Sequence, residues 1–242
     1  MSLLVLMYHR ARPGLHGNSA AMLDAHFARI ARDHSCVLPG EPLNPAGLKV
    51  CLTFDDAYFD FYAIVFPLLK KHGLRAVLAV PPTIVSEQCE LPVETRLREY
   101  PEVAPAHSPG GGFCTWAELR EMAASKRVAI AAHGFTHRRL DEDGIDLHAE
   151  IVAPKEMLEI RIGQPVDSFV FPYGRFSAKA LQLVRQHYRH SFRIGGADNE
   201  DWDRPLLYRV PADAMESPDA LFASRRLTTY RVRRFWNQVR GR

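Results

Sequence analysis

Short apolar runs recur along the chain, each ended by polar or turn-forming residues. Leu3–Tyr8, Val50–Phe54, Ala76–Val80, Val128–Ala132, Ser168–Phe171, Ser191–Ile194 and Tyr208–Val210 read as buried strands. Longer stretches with apolar residues at helical spacing lie between them. Asp24–Asp33, Tyr62–His72 and Ser177–His187 read as helices, and residues 141–161 as mostly helical, in one piece or two. Gly73 fits the left-handed position just past a helix end. Thr115 followed by Glu118 fits a capping box opening a helix that runs to about Ser125. Residues 81–114 read as one long Pro- and Gly-rich loop, a length that usually serves function. Strand and helix alternate six or seven times, which predicts an α/β barrel or a doubly wound sheet.

The polar motifs sit directly after predicted strands. Asp55-Asp56 follows Val50–Phe54, His133 follows Val128–Ala132, and Pro172-Tyr173-Gly174 follows Ser168–Phe171. Strand ends far apart in sequence converge on one mouth in a barrel, so these motifs can share a site.

Composition refines this picture in three ways. The 242 residues are 47% hydrophobic and contain no linker-like tract, which predicts a single domain over 1–242. The net charge of +3 conceals an uneven distribution: residues 225–242 hold seven Arg and no acid, leaving the remainder near −4. That tail, about 217–242, reads as a solubilising helix or as a peripheral contact with anionic lipid or other phosphate. No basic face interleaved with aromatics occurs elsewhere, so nucleic acid is not an expected partner. The N-terminus has no basic segment, and its apolar run is too short for a signal peptide or a membrane span, so a cytoplasmic location is expected. Cys36, Cys51, Cys89 and Cys114 form no CxxC pair; Cys89 and Cys114 flank the long loop and could bridge it.

The candidate chemistry lies in the three motifs. Two adjacent carboxylates repel each other unless a cation or solvent screens them, so Asp55-Asp56 reads either as a solvated turn or as a cation site. His133 and His137, four apart, put both imidazoles on one face of a turn. No Glu follows His133, which excludes the HExxH pattern. One carboxylate and two imidazoles suit zinc, and also cobalt, nickel or manganese, with a coordination position left open. Pro172-Tyr173-Gly174 reads as a plain turn or as a backbone approaching a ligand closely.

Thr53-Phe54-Asp55-Asp56-Ala57, His133-x-x-x-His137 and Pro172-Tyr173-Gly174, in this order and spacing, resemble the motifs of the polysaccharide deacetylases (NodB homology, carbohydrate esterase family 4) over roughly residues 3–210. The opening Met7-Tyr8-His9-Arg10 and the Trp116-x-Glu118-Leu119 segment add to the resemblance. It implies a distorted (β/α)7 barrel. It implies that Asp55 is the general base, that Asp56, His133 and His137 hold a divalent metal, most simply Zn2+, and that the Tyr173 backbone N–H serves an oxyanion. Pro172 and Gly174 would line the substrate site, with Trp202 of a faint fourth motif, Asp201-Trp202.

The chain departs from the family pattern at several points. Ala57 stands where Gly is usual, and Gly134 replaces a Ser or Thr, which is expected to loosen the histidine loop. Val170 and Phe171 occupy the region of the motif's usual Arg, which leaves Asp55 without its expected orienting partner. No Leu-x-x-His motif follows, and no histidine occurs after His190. His9, at the end of the first strand, is the replacement candidate for the general acid; His107 in the long loop is a second. The expected function is removal of an N-acetyl group from an amino sugar of a surface polysaccharide or its precursor, of O-antigen or capsule type. The alternatives are a deformylase or other small-amide hydrolase on the same scaffold, or a catalytically degenerate barrel that binds glycan or metal.

Overall fold

The computed structural model describes residues 2–44, 47–98 and 111–240. Among the described residues, eight parallel strands form one sheet: β1 (Ser2–Tyr8), β2 (Ser35–Cys36), β3 (Leu48–Phe54), β4 (Ala76–Val80), β5 (Val128–Ala132), β6 (Ser168–Val170), β7 (His190–Ile194) and β8 (Leu207–Pro211). β1 pairs with both β3 and β8, which closes seven strands into a barrel. β2 is a two-residue addition beside the lower part of β3, below the point where β4 begins to pair. This is the distorted (β/α)7 barrel that the motifs imply. The closed form rather than the doubly wound one is decided by the β1–β3 and β1–β8 pairings.

Side-chain alternation sorts the strand residues into two cores. Leu4, Leu6, Tyr8, Val50, Leu52, Phe54, Leu78 and Val80 point outward and pack on the helices. Leu3, Val5, Cys51, Val77, Ala79, Ala131, Val170, Phe192 and Leu207 fill the lumen with no helical residue among them. Continuing the inward parity upward gives Asp55 after Cys51 and Thr53, His133 after Ala131, and Arg209 after Leu207. The lumen is therefore apolar for most of its depth and polar at its carboxyl end.

The helices are α1 (Ala20–Asp33), α2 (Phe66–His72), α3 (Val93–Arg98), α4 (Trp116–Ala124), α5 (Leu147–Ile162), α6 (Ala178–His187) and α7 (Ser224–Val239). α1 starts four residues before the stretch read as helix from Asp24, because the Ser19 hydroxyl caps the Met22 N–H. α2 is preceded by a π-turn at Phe61–Val65 and ends at Gly73 in the left-handed conformation. Thr115 and Glu118 form the reciprocal capping box on α4. α5 is a single helix that continues through Pro154.

The segment read as loop over 81–114 carries the short helix α3. Buried Arg96 on that helix is fixed by a fork onto Glu118, at 2.5 and 3.0 Å, and by the Gly111 carbonyl. His107 lies outside the described residues. Cys89 and Cys114 do not form a bridge: both are free, and buried Cys114 donates its thiol hydrogen to the Tyr58 carbonyl. Among the described residues, no helix is long and apolar enough to cross a membrane.

Candidate active site

Strand ends and the loops after them bring the site together. The Asp55 N–H donates to the Tyr8 carbonyl and the His133 N–H to the Val80 carbonyl, so each strand's ladder continues up to its functional side chain. Asp56 (φ 71°), Ala57 (φ 49°), His137 (φ 58°) and Tyr173 (φ 57°) all adopt the left-handed region disfavoured for residues with a Cβ. Four such residues in three motifs mark a site where backbone strain is held in place by surrounding packing.

Asp56, His133 and His137 form a cluster whose potential ligand atoms all lie within 4.8 Å of one another. Asp56 Oδ1 is 3.2 Å from His137 Nε2 and 3.5 Å from His133 Nε2. His133 Nδ1 lies 2.8 Å from the Val170 carbonyl, which can only accept, so the proton is on Nδ1 and the Nε2 lone pair faces Asp56. Burial pushes the His133 imidazole down to about 4, against the pull of Asp55 and Asp56, so it is a neutral ligand-competent ring. Asp56 Oδ1 is buried without a hydrogen-bond donor. A buried carboxylate oxygen facing an unprotonated imidazole nitrogen is an arrangement that a divalent cation relieves, and the O/N/N donor set suits zinc or a similar metal.

The loop carrying His133 and His137 is held by a residue that the motif pattern does not single out. Glu150, buried in the first turn of α5, accepts from Phe135 N at 2.9 Å, from Thr136 N at 3.1 Å and from the Thr136 hydroxyl. Gly134 therefore does not loosen this loop. Its φ is 71°, and a Cβ there would sit 3.1 Å from Glu150 Oε2 and 3.3 Å from Pro172. Glycine lets the loop press against Glu150, and the Thr136 hydroxyl, two positions on, supplies a tie to the same carboxylate. Glu150→Gln is expected to weaken zinc affinity by about 10- to 100-fold, read by competition with a chelating dye.

Asp55 has the orienting partner that its own motif lacks. Arg209, 1% exposed in β8, forms a two-pronged pair with it, at 2.6 Å to Oδ1 and 2.9 Å to Oδ2, and also donates to the Thr53 hydroxyl at 3.2 Å. Burial alone would raise the Asp55 carboxyl. The charge of Arg209, then His133, the Arg209 hydrogen bonds and His9 outweigh it and hold the group well below the usual carboxylate range. One sequence signal points to Arg209: it is a lone charge inside an apolar strand, and a buried charge requires a partner.

His9 faces the same space. Its Nε2 is 3.9 Å from Asp55 Oδ2, and its Nδ1 is 2.5 Å from Asp213 Oδ2, while its backbone N–H donates to Asp213 Oδ1. Burial would lower this imidazole, but the Asp213 hydrogen bond and the charges of Asp55, Asp213 and Asp56 raise it to about 9. His9 is thus a cation at neutral pH beside an ionised carboxylate.

Pro172, Tyr173 and Gly174 form a tight turn above His137, with the Tyr173 ring 4.7 Å from the His137 ring. The Gly174 and Arg175 amides are spent on the Phe171 and Pro172 carbonyls. Gly174 (φ 63°) lies against Ile194, where a Cβ would approach to 3.2 Å. The turn is braced from below, leaving the Tyr173 amide as the candidate donor at the mouth.

Trp202 is not part of this site, contrary to the expectation from the faint fourth motif. It plugs the amino-terminal end of the lumen, donating from Nε1 to the Glu41 carbonyl at 2.9 Å and packing edge-on against His190, the first residue of β7. The chain returns to the bottom of the barrel between β7 and β8, so a residue that follows a strand in sequence here lies below the strands in space.

Residues 44–190 match the family model described as polysaccharide deacetylase. A polysaccharide deacetylase from Bacillus cereus superposes with a TM-score of 0.74 at 18% identity, over 93% of this chain and 69% of that one. The Streptococcus pyogenes deacetylase PplD, solved with acetate, superposes with a TM-score of 0.73 at 21% identity, over 92% of this chain and 97% of its own. Both likenesses concern the fold. The poly-beta-1,6-N-acetyl-D-glucosamine N-deacetylase of Escherichia coli K12 is 34% identical over 94 residues, which is 39% of this chain but 12% of that protein.

Proposed function

The chain belongs to the polysaccharide deacetylase family, and from that premise we propose that it is a metal-dependent hydrolase that removes an N-acetyl group from an amino sugar of a surface polysaccharide or its precursor. The observation that carries this reading is the Asp56–His133–His137 cluster, with the orphaned Asp56 oxygen at its centre and ionised Asp55 beside it. A divalent cation bound there would polarise the amide carbonyl and lower the pKa of an attacking water.

The chain's own residues supply the proton transfers. Asp55, kept ionised and oriented by Arg209, accepts a proton from water as its oxygen bonds to the carbonyl carbon. The Tyr173 N–H hydrogen-bonds the oxygen on which negative charge develops. His9, protonated and aimed by Asp213, gives a proton to the amine nitrogen as the C–N bond breaks, because an amine anion is a very poor leaving group. The products are a carboxylate and a free amino sugar. Base and acid lie 3.9 Å apart, close enough to reach the attacking oxygen and the leaving nitrogen, two atoms bonded to one carbon.

The Arg209 fork and the His9–Asp213 pair favour a working hydrolase over a degenerate barrel, since they fill the two roles that the sequence motifs leave vacant. A soluble N-acetylated oligosaccharide, incubated with metal-stripped protein and then with protein reloaded with Zn2+ or Co2+, tests the reading by acetate release. Metal-dependent acetate supports it. Formate release from an N-formyl sugar, with no acetate from any acetylated one, turns it to the deformylase alternative.

The pH profile tests the acid. Folding raises His9 from 6.5 to about 9, so the proton it donates is present below that value and lost as pH rises through it. The alkaline limb of kcat/KM is expected near pH 9. Asp213→Asn removes the hydrogen-bonded charge and is expected to move that limb down by about one to three pH units. An unmoved limb removes His9 from the role.

A further inference from the structure

α7 presents an apolar stripe to solvent. Its inner side is anchored to the barrel: Tyr230 is buried, Arg234 lies 3.5 Å from both Asp198 and Glu200, and Asn237 donates to the Gly195 carbonyl at 3.2 Å. At about 100° per residue, Val232, Phe235, Trp236 and Val239 cluster on the side facing away from Tyr230. These four are 50, 60, 51 and 62% exposed. Their spacing of three, four and seven residues makes one continuous row. Arg231 borders the row on one side and Arg233 and Arg240 on the other, and residues 224–240 contain no acid.

An anchored helix that faced only water would carry polar residues on its outer side. Two aromatic and two aliphatic side chains in a row form an exposed apolar patch that calls for a partner. The arginines select among partners. A second copy of this chain would bring two arginine borders together, which like-charge repulsion opposes. An anionic lipid surface satisfies both features: the aromatic rings enter the headgroup region, and the bordering guanidinium groups meet lipid phosphates. No acidic residue on the helix opposes this approach.

We propose that α7 docks the protein on an anionic lipid surface through Val232, Phe235, Trp236 and Val239, with the bordering arginines as phosphate partners. Trp236 and Arg233 share a surface depression with Ile194 and Pro211, the carboxyl ends of β7 and β8. The docking row runs along the flank of the barrel, with Trp236 beside the ends of β7 and β8 and Arg231 at the edge of the cleft lined by Trp202 and His190. This surface does not depend on the deacetylase reading, because it uses no residue of the metal cluster or its partners.

Vesicle flotation with the full chain tests the proposal. The unaltered protein is expected to float with phosphatidylglycerol-containing vesicles at least about 10-fold more than with pure phosphatidylcholine vesicles, and to be released by salt. The double variant F235S/W236S changes only exposed side chains and is expected to lose flotation by about 10-fold or more, with unchanged thermal unfolding and unchanged hydrolysis of a soluble substrate. Three results would overturn the proposal: no flotation with anionic vesicles at low salt, equal flotation of F235S/W236S, or a dimer in solution that F235S/W236S dissociates. Failure of hydrolysis in every variant, with flotation intact, would count against the deacetylase reading and leave the docking surface standing.

Discussion

Asp55→Asn is expected to lower kcat/KM for acetate release by about 10²- to 10⁴-fold, the range for loss of a positioned general base. Zinc binding is expected to survive, because Asp56, His133 and His137 make up the cluster without Asp55. The two readouts separate roles: a residue that merely held the metal would take metal affinity down with activity. The amide oxygen of Asn can still accept one Arg209 hydrogen bond, so the mouth keeps its shape while losing the carboxylate. The guanidinium then keeps only neutral acceptors in a buried position, and some loss of stability accompanies the loss of rate. Acetate release from Asp55→Asn at the unaltered rate would remove Asp55 as the base.

Arg209→Met carries the second large effect, and it falls on stability as well as rate. Arg209 is buried and Asp55 is 3% exposed, so removing the cation leaves a carboxylate uncompensated in the lumen. Breaking a buried pair from one side typically costs about 3–5 kcal/mol. In a chain of this length that corresponds to a fall in Tm of about 6–20 °C, seen by calorimetry. The pH dependence follows from the depressed Asp55 carboxyl. Folding lowers this group from 3.8, so its contribution to stability is present above that value and is lost as pH falls toward the folded-state value. Without Arg209 the carboxyl rises, and the acid limb of kcat/KM is expected to move to higher pH. The double variant D55N/R209M replaces a charged pair with neutral groups and is expected to recover most of the lost stability while remaining inactive. Equal stability of Arg209→Met and the unaltered protein would mean that solvent reaches the pair.

Much of this was legible in the residue pattern because it is local. Seven strands announce themselves as largely apolar runs of three to six residues, since a strand buried on both faces has little polar alternation to hide it. The capping box at Thr115 and Glu118 and the glycine stop at Gly73 are readable because their hydrogen bonds span a few residues. The candidate metal cluster is legible for a related reason: His133 and His137 lie in one short segment, and Asp56 follows a strand, so each motif is local even though their meeting is not.

Other features depend on contacts that sequence distance conceals. Helix α3 is short, so its apolar pattern cannot rise above the loop around it, and the Arg96–Glu118 fork that holds it joins two separate segments. Trp202 follows a strand but lies at the barrel's closed end, because the β7–β8 connection descends before β8 begins. Gly134 reads as a lost hydroxyl until Glu150, sixteen positions on, is seen pressing against it.

What the sequence determined by itself is therefore the inventory: parallel strands with helices between them, a carboxylate pair, a histidine pair, and a basic C-terminal segment. What only the tertiary structure decided is who serves whom. Barrel closure puts β8 beside β1 and turns Arg209 inward, 154 positions from the Asp55 it orients. The same closure sets Asp213 against His9, 204 positions away, and turns a histidine of ordinary type into a cation at neutral pH. The physical reason is that a charge's behaviour is set by its burial and by neighbours within a few ångströms, and in a closed barrel those neighbours come from the two ends of the chain.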